Sequence, residues 1–244
     1  MLTAAMEKIL TDARETGWVM EPEAKRFFSL GGLDTPRFFW AKKEEEALQV
    51  AMEIGYPVVA KVVSPRTPHK SEVKGVRLGV QDSQELTTAF QEFSRIEGFA
   101  GMLVEEMHSG VELIVGAKID FQFGPVILLG MGGTSVEIYK DVAMRMAPLK
   151  AKDVVSMVQS LQGRPLLEGY RGQEPIGMDK LSQLLISFSQ IVMEIQPVME
   201  TIDLNPVFCT FSRALVADAR IFLKKKPCGG LPLSLRLPLV EFQK

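Results

Sequence analysis

The feature that most constrains the fold is a short apolar run with one charged residue in its middle, at residues 57–63. Small and β-branched residues dominate this run, which predicts a buried strand. Lys61 lies at its centre, and an ammonium group in a buried strand is costly to desolvate unless an anion meets it. The loop at residues 64–74 then adds four basic residues, Arg66, His69, Lys70 and Lys74. This pattern suits a phosphate, and a lysine at a sheet edge beside a solvated basic loop is an equal alternative.

Composition limits the class of protein. A chain of 244 residues that is 46% hydrophobic can bury a substantial core, in one large domain or two small ones. Its net charge of -2 argues against nucleic-acid binding. Two cysteines without a CxxC pair and two histidines argue against a disulfide framework and a zinc site. Because no signal peptide or run of ~20 apolar residues is visible, we expect a cytoplasmic protein.

The periodicity of apolar residues changes along the chain. Helical spacing predicts helices at residues 1–15, 21–29, 41–54, 83–96, 151–161 and 178–195. Alternation and β-branched residues predict strands at 37–40, 57–63, 75–80, 102–107, 111–118, 124–129, 145–148, 201–205 and 214–221, and residues 162–177 are predicted to be a loop. The first hundred residues therefore mix helices and strands, and the next thirty are mainly strands.

The last two predicted strands carry a second constellation. Alternate residues of a strand share a face, so Asp203 and Asn205 lie together, as do Asp218 and Arg220. A turn at residues 210–213 would place Asn205 opposite Asp218, with Cβ atoms ~5 Å apart. Oxygen ligands at this spacing suit Mg²⁺, which takes few protein ligands and completes its sphere with water and nucleotide phosphate. A hairpin with ordinary solvated acids fits the spacing equally well.

A third candidate site lies on the strands at 102–107 and 111–118. Glu105 and Glu106 end the first of these strands, and Glu112 begins the second. Carboxylates at a strand end can accept hydrogen bonds from an adenine amino group or from ribose hydroxyls. They can equally be surface acids, and both interpretations stay open.

Several motifs together resemble a known family. YPVVAKVVSPRTPHKSEVKGVRL, LVEEMHSGVELIVGAKIDFQFGPVILLGMGG, DVAMRMAPL, IDLNPV and ADARI resemble, in order and spacing, the ATP-grasp subunit of ADP-forming acyl-CoA synthetases of the acetyl-CoA type. These enzymes belong to the succinyl-CoA synthetase superfamily. The resemblance covers residues 21–223 and implies an α+β, ATP-grasp fold of two subdomains that grip ATP. We expect subdomains at 21–100 and 101–223, a helix in 1–20 and a disordered tail at 224–244.

The resemblance also implies a role for each matching residue. Lys61 matches the lysine on the nucleotide phosphates, with Gly75 after the basic loop as a further cofactor-binding position. The adenosine acids of the family match Glu105 and Glu112, with Glu106 as a further cofactor-binding candidate. Its Mg²⁺ ligands match Asn205 and Asp218, and Asp203, the third metal candidate, stands where the superfamily often has a Glu. The HKS signature makes His69 a candidate phosphate carrier beside Lys70, and Arg145 of the DVAMRMAPL motif is a third catalytic candidate.

The family reaction predicts an enzyme with a partner. Acyl-CoA, ADP and phosphate give the free acid, CoA and ATP through acyl phosphate and phosphohistidine, so an acid-thiol ligase that binds ATP/ADP and Mg²⁺ is expected. The family also requires a CoA-binding domain and a phosphohistidine domain, which this chain does not supply. Either a separate α subunit provides them in a hetero-oligomer, or the chain is part of a longer protein. The alternative function is a regulatory ATP-grasp module, for example fused to an acetyltransferase.

Overall fold

The computed structural model describes residues 1–67, 70–133 and 141–224. Its α-helices in chain order are α1 (Ala4–Asp12), α2 (Glu21–Leu30), α3 (Glu44–Ile54), α4 (Ser83–Phe93), α5 (Ala151–Ser160), α6 (Arg164–Leu167) and α7 (Met178–Ile195). The strands are β1 (Trp18–Val19), β2 (Phe38–Ala41), β3 (Val58–Val63), β4 (Val76–Val80), β5 (Gly101–Glu106), β6 (Val111–Asp120), β7 (Gly124–Met131), β8 (Val142–Met146), β9 (Met199–Cys209), β10 (Ala214–Val216) and β11 (Ala219–Leu223). A short 3₁₀ helix, Lys70–Val73, precedes β4.

The larger sheet is antiparallel and has the order β1-β11-β9-β6-β7-β8, with β10 paired to β9. One of its faces is apolar because alternate residues of each strand are hydrophobic, as Leu113, Val115 and Ala117 are on β6. Residues of α1, α2, α5 and α7 pack on this face and form the main hydrophobic core. The apolar stripe of α7 therefore serves the core, as helical periodicity indicates. The opposite face, which we name the open face, carries Asp203, Arg220 and the other polar residues considered below.

The smaller sheet has the order β2-β5-β3-β4 and is also antiparallel. Val58, Ala60 and Val62 of β3 belong to its hydrophobic core, together with apolar residues of α3 and α4. Because side chains alternate along a strand, Lys61 lies on the other face, away from these two helices. That second face meets α2 and the hairpin of the larger sheet through the contacts described below.

The sheets divide the chain at other points than the predicted boundary between residues 100 and 101. Strand β5 lies between β2 and β3, so it belongs to the smaller sheet. Helix α2 packs in the core of the larger sheet, through Ala24, Phe27 and Phe28. Strand pairing joins segments that are far apart in sequence, and the subdomain bounds 21–100 and 101–223 stay a prediction. The predicted tail at 224–244 lies outside the described residues except for Lys224.

Most predicted elements are present, with shifted ends. The strand predicted at 214–221 is two strands, β10 and β11, separated at Ala217 and Asp218. The loop predicted at 162–177 contains α6, and β1 is a strand where none was predicted. Over the described ranges, no helix is long and apolar enough to cross a membrane.

Candidate functional site

The hairpin of the larger sheet has the register that the sequence predicts. Leu204 pairs with Ala219 and Asp203 with Arg220. The next pair along the hairpin is Asn205 and Asp218, where the Asn205 backbone N–H donates to the Asp218 carbonyl over 3.2 Å. The predicted opposition of these two residues is therefore confirmed. The turn also forms where predicted, since the Thr210 N–H donates to the Arg213 carbonyl over 2.9 Å.

Strand register assigns Arg145 to the wrong side of the sheet for this site. Paired residues of antiparallel strands share a face, and Arg145 pairs with the buried Ile127. Its guanidinium donates to the Ser156 hydroxyl on α5 over 2.6 Å and to the Met144 carbonyl over 2.7 Å. Arg145 therefore lies on the helix-covered face, opposite to the face of Asp203 and Arg220. The structure does not bring Arg145 together with Asp203 and Arg220, and its assignment as a catalytic residue stays a prediction.

Lys61 joins the two sheets. Its ammonium group is 2.9 Å from Glu21 Oε1 and 2.7 Å from Glu105 Oε1, and it donates to the Ala217 carbonyl over 2.9 Å. Ala217 immediately precedes Asp218 in the hairpin, so this one side chain connects β3 of the smaller sheet to the larger sheet. Lys61 is only 6% exposed, and the anion expected around a buried lysine is supplied by the protein itself.

Helix α2 adds two charged residues that sequence reasoning missed. Glu21 and Lys25 are one helical turn apart, and both are buried. Lys25 Nζ is 2.9 Å from Glu21 Oε1 and also contacts the Glu105 carboxylate. Their spacing was the available signal, because residues at i and i+4 share a helix face. The neighbouring Ala24 and Phe28 of that helix are buried in the core, so both charges face inward.

Lys70 completes a group that we name the charge cluster. The Lys70 ammonium contacts Glu21 Oε2 and lies 3.6 Å from Asp218 Oδ2. The cluster contains three ammonium groups and three carboxylates, all of them buried: Lys25, Lys61, Lys70, Glu21, Glu105 and Asp218. Opposite charges are equal in number, which is the condition under which buried ions are tolerated.

The protonation of the cluster follows from burial and neighbouring charge. Burial lowers the pKa of Lys25 to about 8, and it also lowers the pKa of Lys70. Burial opposes the charge of Lys61 as well, but the carboxylates of Glu105 and Asp218 outweigh it and raise the Lys61 pKa. Burial disfavours the Asp218 carboxylate, yet the cations Lys70, Lys61 and Arg220 outweigh it and lower its pKa to about 2. Asp218 is therefore ionised at neutral pH.

Two of the three predicted adenosine acids are engaged elsewhere. The Glu105 carboxylate contacts Lys61 and Lys25, and its side chain is 3% exposed. Glu106 points to the other face of β5, where its carboxylate accepts from the Arg37 backbone N–H over 3.0 Å and from Arg37 Nε over 2.6 Å. Consecutive strand residues face opposite ways, so these two carboxylates could not share one pocket. The structure does not bring these two acids together, and their role as hydrogen-bond acceptors for adenosine stays a prediction.

Glu112, the third predicted acid, is exposed at the beginning of β6. Gly116 of β6 pairs with Asp203, so both residues lie on the open face. Glu112 and Ile114 precede Gly116 at alternate positions of the same strand, so the Glu112 side chain lies on that face too. The Gly132 N–H donates to the Glu112 carbonyl over 2.7 Å, which brings the turn after β7 beside this residue. Glu112 therefore keeps a position from which it can reach a ligand on the open face.

The loop before β4 contains the remaining predicted residues. Gly75 is buried, and a Cβ at this position would lie 2.3 Å from Val62 Cγ1. Its N–H donates to the Lys70 carbonyl over 2.8 Å, so the glycine lets the loop pack closely against β3. This packing accounts for the glycine whether or not it also approaches a nucleotide. His69 lies outside the described residues.

The hairpin fits a magnesium ion by its donor set. Asp218 Oδ1 is buried and makes no hydrogen bond to any described residue, so one carboxylate oxygen retains its coordinating capacity. Asn205 lies across the hairpin from it. The described ranges contain no group of three or more His, Cys, Asp or Glu residues that could hold a metal. A site of two oxygen-bearing residues is compatible with Mg²⁺, which usually keeps waters and substrate phosphates as further ligands.

The comparison with known proteins identifies the fold in which these two sheets meet. Residues 11–223 match the ATP-grasp domain family. The acetate–CoA ligase (ADP-forming) I subunit beta of Pyrococcus furiosus is 37% identical over 213 residues, which cover 84% of this chain and 91% of that protein. The chain belongs to the family of these ADP-forming acetate–CoA ligase beta subunits.

Solved structures agree with this assignment. A structure of the dinucleotide forming acetyl-coenzyme A synthetase 1 of Ca. Korarchaeum cryptofilum, in complex with coenzyme A, Ca-AMPCP and HgCl+, superposes with a TM-score of 0.84 at 38% identity. The superposition covers 89% of this chain and 99% of that chain. A second structure of that enzyme contains coenzyme A and Mg-AMPPCP, with its phosphohistidine segment pointing towards the nucleotide-binding site. It has a TM-score of 0.79 at 36% identity and covers 90% and 100% of the two chains.

Proposed function

We propose that this chain is the nucleotide-binding subunit of an ADP-forming acyl-CoA synthetase. In this role it passes a phosphoryl group between a phosphohistidine and ADP, so that acyl-CoA, ADP and phosphate are converted to the free acid, CoA and ATP. Relatives that bear this activity by name match nearly their whole length, which favours the enzyme over a regulatory module. Because ADP and CoA are intracellular metabolites, we place the enzyme in the cytoplasm.

The observation that carries the proposal is the free carboxylate oxygen of Asp218, Oδ1, opposite Asn205. The other oxygen of the same carboxylate lies 3.6 Å from the Lys70 ammonium. An ionised oxygen and a lysine side by side suit a metal-bound phosphate, since the metal binds the carboxylate and the ammonium binds phosphate oxygens. Asn205 and Asp218 would hold Mg²⁺, with Asp203 on the same face as a third oxygen donor. The ion would neutralise charge on the transferring phosphoryl group.

Each remaining residue has a role that its position permits. Lys61 and Lys70 would orient the phosphates, because their ammonium groups lie where the two sheets meet. Glu112 would contact the nucleoside from the open face. His69, next to Lys70 in the chain, would carry the phosphoryl group, and the neighbouring lysine would offset the negative charge that a phosphorylated imidazole acquires.

A partner that brings the acyl and CoA chemistry is part of the proposal. The Pyrococcus furiosus relative is named as a beta subunit, which supports an α subunit with CoA-binding and phosphohistidine domains. The chain and that subunit would form a hetero-oligomer. Acyl specificity would then belong to the partner.

The test is reconstitution. The purified chain is assayed for acetyl-CoA formation from acetate, CoA and Mg-ATP, alone and with the CoA-binding subunit encoded by the same genome. We expect turnover only in the mixture, and we expect the chain alone to bind Mg-ADP in calorimetry. Robust synthesis by the chain alone would contradict the division of labour. Failure to bind Mg-ADP, alone or with the partner, would contradict the nucleotide-binding role.

A further inference from the structure

We propose that Glu21 and Lys25 of α2 form a positioning pair for the phosphate-binding lysines. The inference rests on the proposed function, because it assumes that Lys61 and Lys70 bind nucleotide phosphates. Neither Glu21 nor Lys25 is expected to contact the nucleotide, since Glu21 is 1% exposed and Lys25 is fully buried. They act through the two lysines that they hold.

The geometry of the Glu21 carboxylate is the first step. Its Oε1 is 2.9 Å from Lys61 Nζ and 2.9 Å from Lys25 Nζ, and its Oε2 contacts the Lys70 ammonium. One carboxylate therefore bridges a lysine of β3 and a lysine of the 3₁₀ helix, which belong to different segments of the chain. No other carboxylate of the charge cluster contacts both Lys61 and Lys70 through ion pairs as short as these.

Charge balance is the second step. Without Glu21, three buried ammonium groups would share only two carboxylates, Glu105 and Asp218. Like charges repel strongly where water is excluded, so Lys61 and Lys70 would be displaced from their places beside the hairpin. Lys25 supplies the third positive charge, and its ammonium group contacts the Glu105 carboxylate. With Glu21 and Lys25 both present, the cluster has no net charge. The function of the pair is to hold two cations close together without leaving a net buried charge.

A purely structural role predicts something different. If Glu21 and Lys25 only stabilise the packing of α2, then removing either residue lowers the melting temperature, and removing both lowers it further. If the pair balances the lysines, removing both leaves Lys61 with Glu105 and Lys70 with Asp218, which are two charges of each sign. The double variant then recovers the Mg-ADP affinity that Glu21→Gln loses.

The experiment measures Mg-ADP binding to the full chain by calorimetry, together with thermal unfolding, for the variants Glu21→Gln, Lys25→Met and the double variant. We expect Glu21→Gln to weaken Mg-ADP binding by about tenfold or more. The double variant is expected to return to within about threefold of the wild-type dissociation constant. Binding is measured well below the lowest melting temperature, so that unfolding does not enter the result.

Glu23→Gln is the matched control. Glu23 lies in the same turn of α2, but its side chain is 34% exposed and only approaches Arg26, at 4.0 Å. Its Mg-ADP affinity should equal that of the wild type. Wild-type affinity in Glu21→Gln, or a double variant that binds no better than Glu21→Gln, would overturn the positioning role while the proposed function stands. A wild-type chain that does not bind Mg-ADP would overturn both.

Discussion

The deep lysines of the charge cluster and its carboxylate on the β9–β11 hairpin, Asp218, differ in how their polar atoms are satisfied. In the cluster, the ammonium groups of Lys25 and Lys61 each contact two carboxylates, and both side chains are almost fully buried. In the hairpin, Asp218 Oδ1 is buried without a hydrogen bond to any residue in the described parts of the chain. A buried polar atom without a partner is costly. Lys25 and Lys61 are therefore held by the protein's own carboxylates, whereas Asp218, the cluster member on the hairpin, keeps one oxygen for a ligand.

Lys70 stands between these two regions. It contacts Glu21 on α2 and lies 3.6 Å from Asp218, the cluster member on the hairpin. A ligand that binds Asp218 would therefore lie beside the Lys70 ammonium. The sequence connects a lysine in a buried strand to phosphate. The comparison teaches that the protein's own carboxylates can neutralise such a lysine while it still lies at the edge of a ligand site.

The largest effect that we expect comes from His69, which precedes Lys70 in the chain. In the complex with the partner subunit, His69→Gln should reduce phosphoryl exchange between ATP and the partner by about a thousandfold or more, because a glutamine cannot carry a phosphoryl group. Mg-ADP binding should survive, since the cluster and the hairpin are intact. Exchange is measured with labelled ATP.

The chain supplies its own control for this variant. His108 is the only other histidine, and its imidazole lies 3.2 Å from the Glu106 carboxylate, on the other side of the smaller sheet from Lys61. His108→Gln should leave exchange near the wild-type rate. If His69→Gln also exchanges near that rate, His69 is a pocket residue and the carrier belongs to the partner alone.

The next effect concerns stability and sharpens the contrast between the two regions. Lys61→Met removes a side chain that contacts both Glu105 of the smaller sheet and the Ala217 carbonyl of the hairpin, and it leaves buried carboxylates short of a cation. Breaking a buried ion pair in this way costs about 3 kcal/mol or more, and denaturant unfolding should register that loss. Lys152→Met, on the exposed side of α5, should change the free energy of unfolding by less than about 0.5 kcal/mol. Equal stability of the two variants would mean that the cluster contributes nothing to the fold.

The hairpin could be predicted from the sequence because its contacts are local. A turn at residues 210–213 and strand alternation are enough to place Asn205 opposite Asp218, and the structure has this register. The same reasoning places Arg145 on a strand. It cannot tell whether Arg145 and Asp218 lie on the same face of the sheet, because β6 and β7 lie between their strands. Local pairing was predictable, and pairing across the sheet was not.

The charge cluster was beyond the same method for a related reason. Lys61 indicated that some anion must be near, but Glu21 lies forty residues earlier and Asp218 more than a hundred and fifty residues later. Nothing in spacing connects segments at these separations, since helix α2 reaches β3 only through the packing of both sheets. The resemblance to a family supplied the fold and the candidate ligands on the hairpin. It did not indicate that α2 provides the carboxylate that holds the lysines.

A smaller effect on nucleotide binding should come from the hairpin. Asp218→Asn keeps the size of the side chain and removes the charge that suits a divalent cation, so Mg-ADP affinity should fall by about 10- to 100-fold. The missing charge of the cluster affects ADP binding with and without the metal, so the metal effect is the ratio of the two affinities. The affinity with Mg²⁺ divided by that with EDTA, both measured by calorimetry, should be smaller in the variant than in the wild type. Asp179→Asn, at an exposed position in the first turn of α7, is the control. An unchanged metal dependence in Asp218→Asn would remove the magnesium ligand from the hairpin.

The smallest effect that we expect concerns Glu106 of β5, and it tests whether this residue belongs to the charge cluster or to the hairpin site. Hydrogen bonds from Arg37 and His108 outweigh the opposing effect of burial and lower the pKa of Glu106 to about 2. A carboxylate whose pKa is lower in the folded chain stabilises it above the unfolded pKa, about 4.5, and that stabilisation is lost as the pH falls through this value towards 2. Glu106→Gln should therefore be slightly less stable than the wild type at pH 7, and the difference should shrink below about pH 4.5.

Glu106 is partly exposed, so solvent screening keeps this difference small. Glu45→Gln, at an exposed position in the first turn of α3, controls for the loss of one negative charge from the surface. Unfolding in urea at pH 7 and pH 3.5 measures both variants. Mg-ADP affinity should be the same in Glu106→Gln as in the wild type, because this carboxylate faces away from Lys61. A weaker affinity would mean that Glu106 belongs to the nucleotide site. The face of β5 that carries Glu106 would then also take part in nucleotide binding.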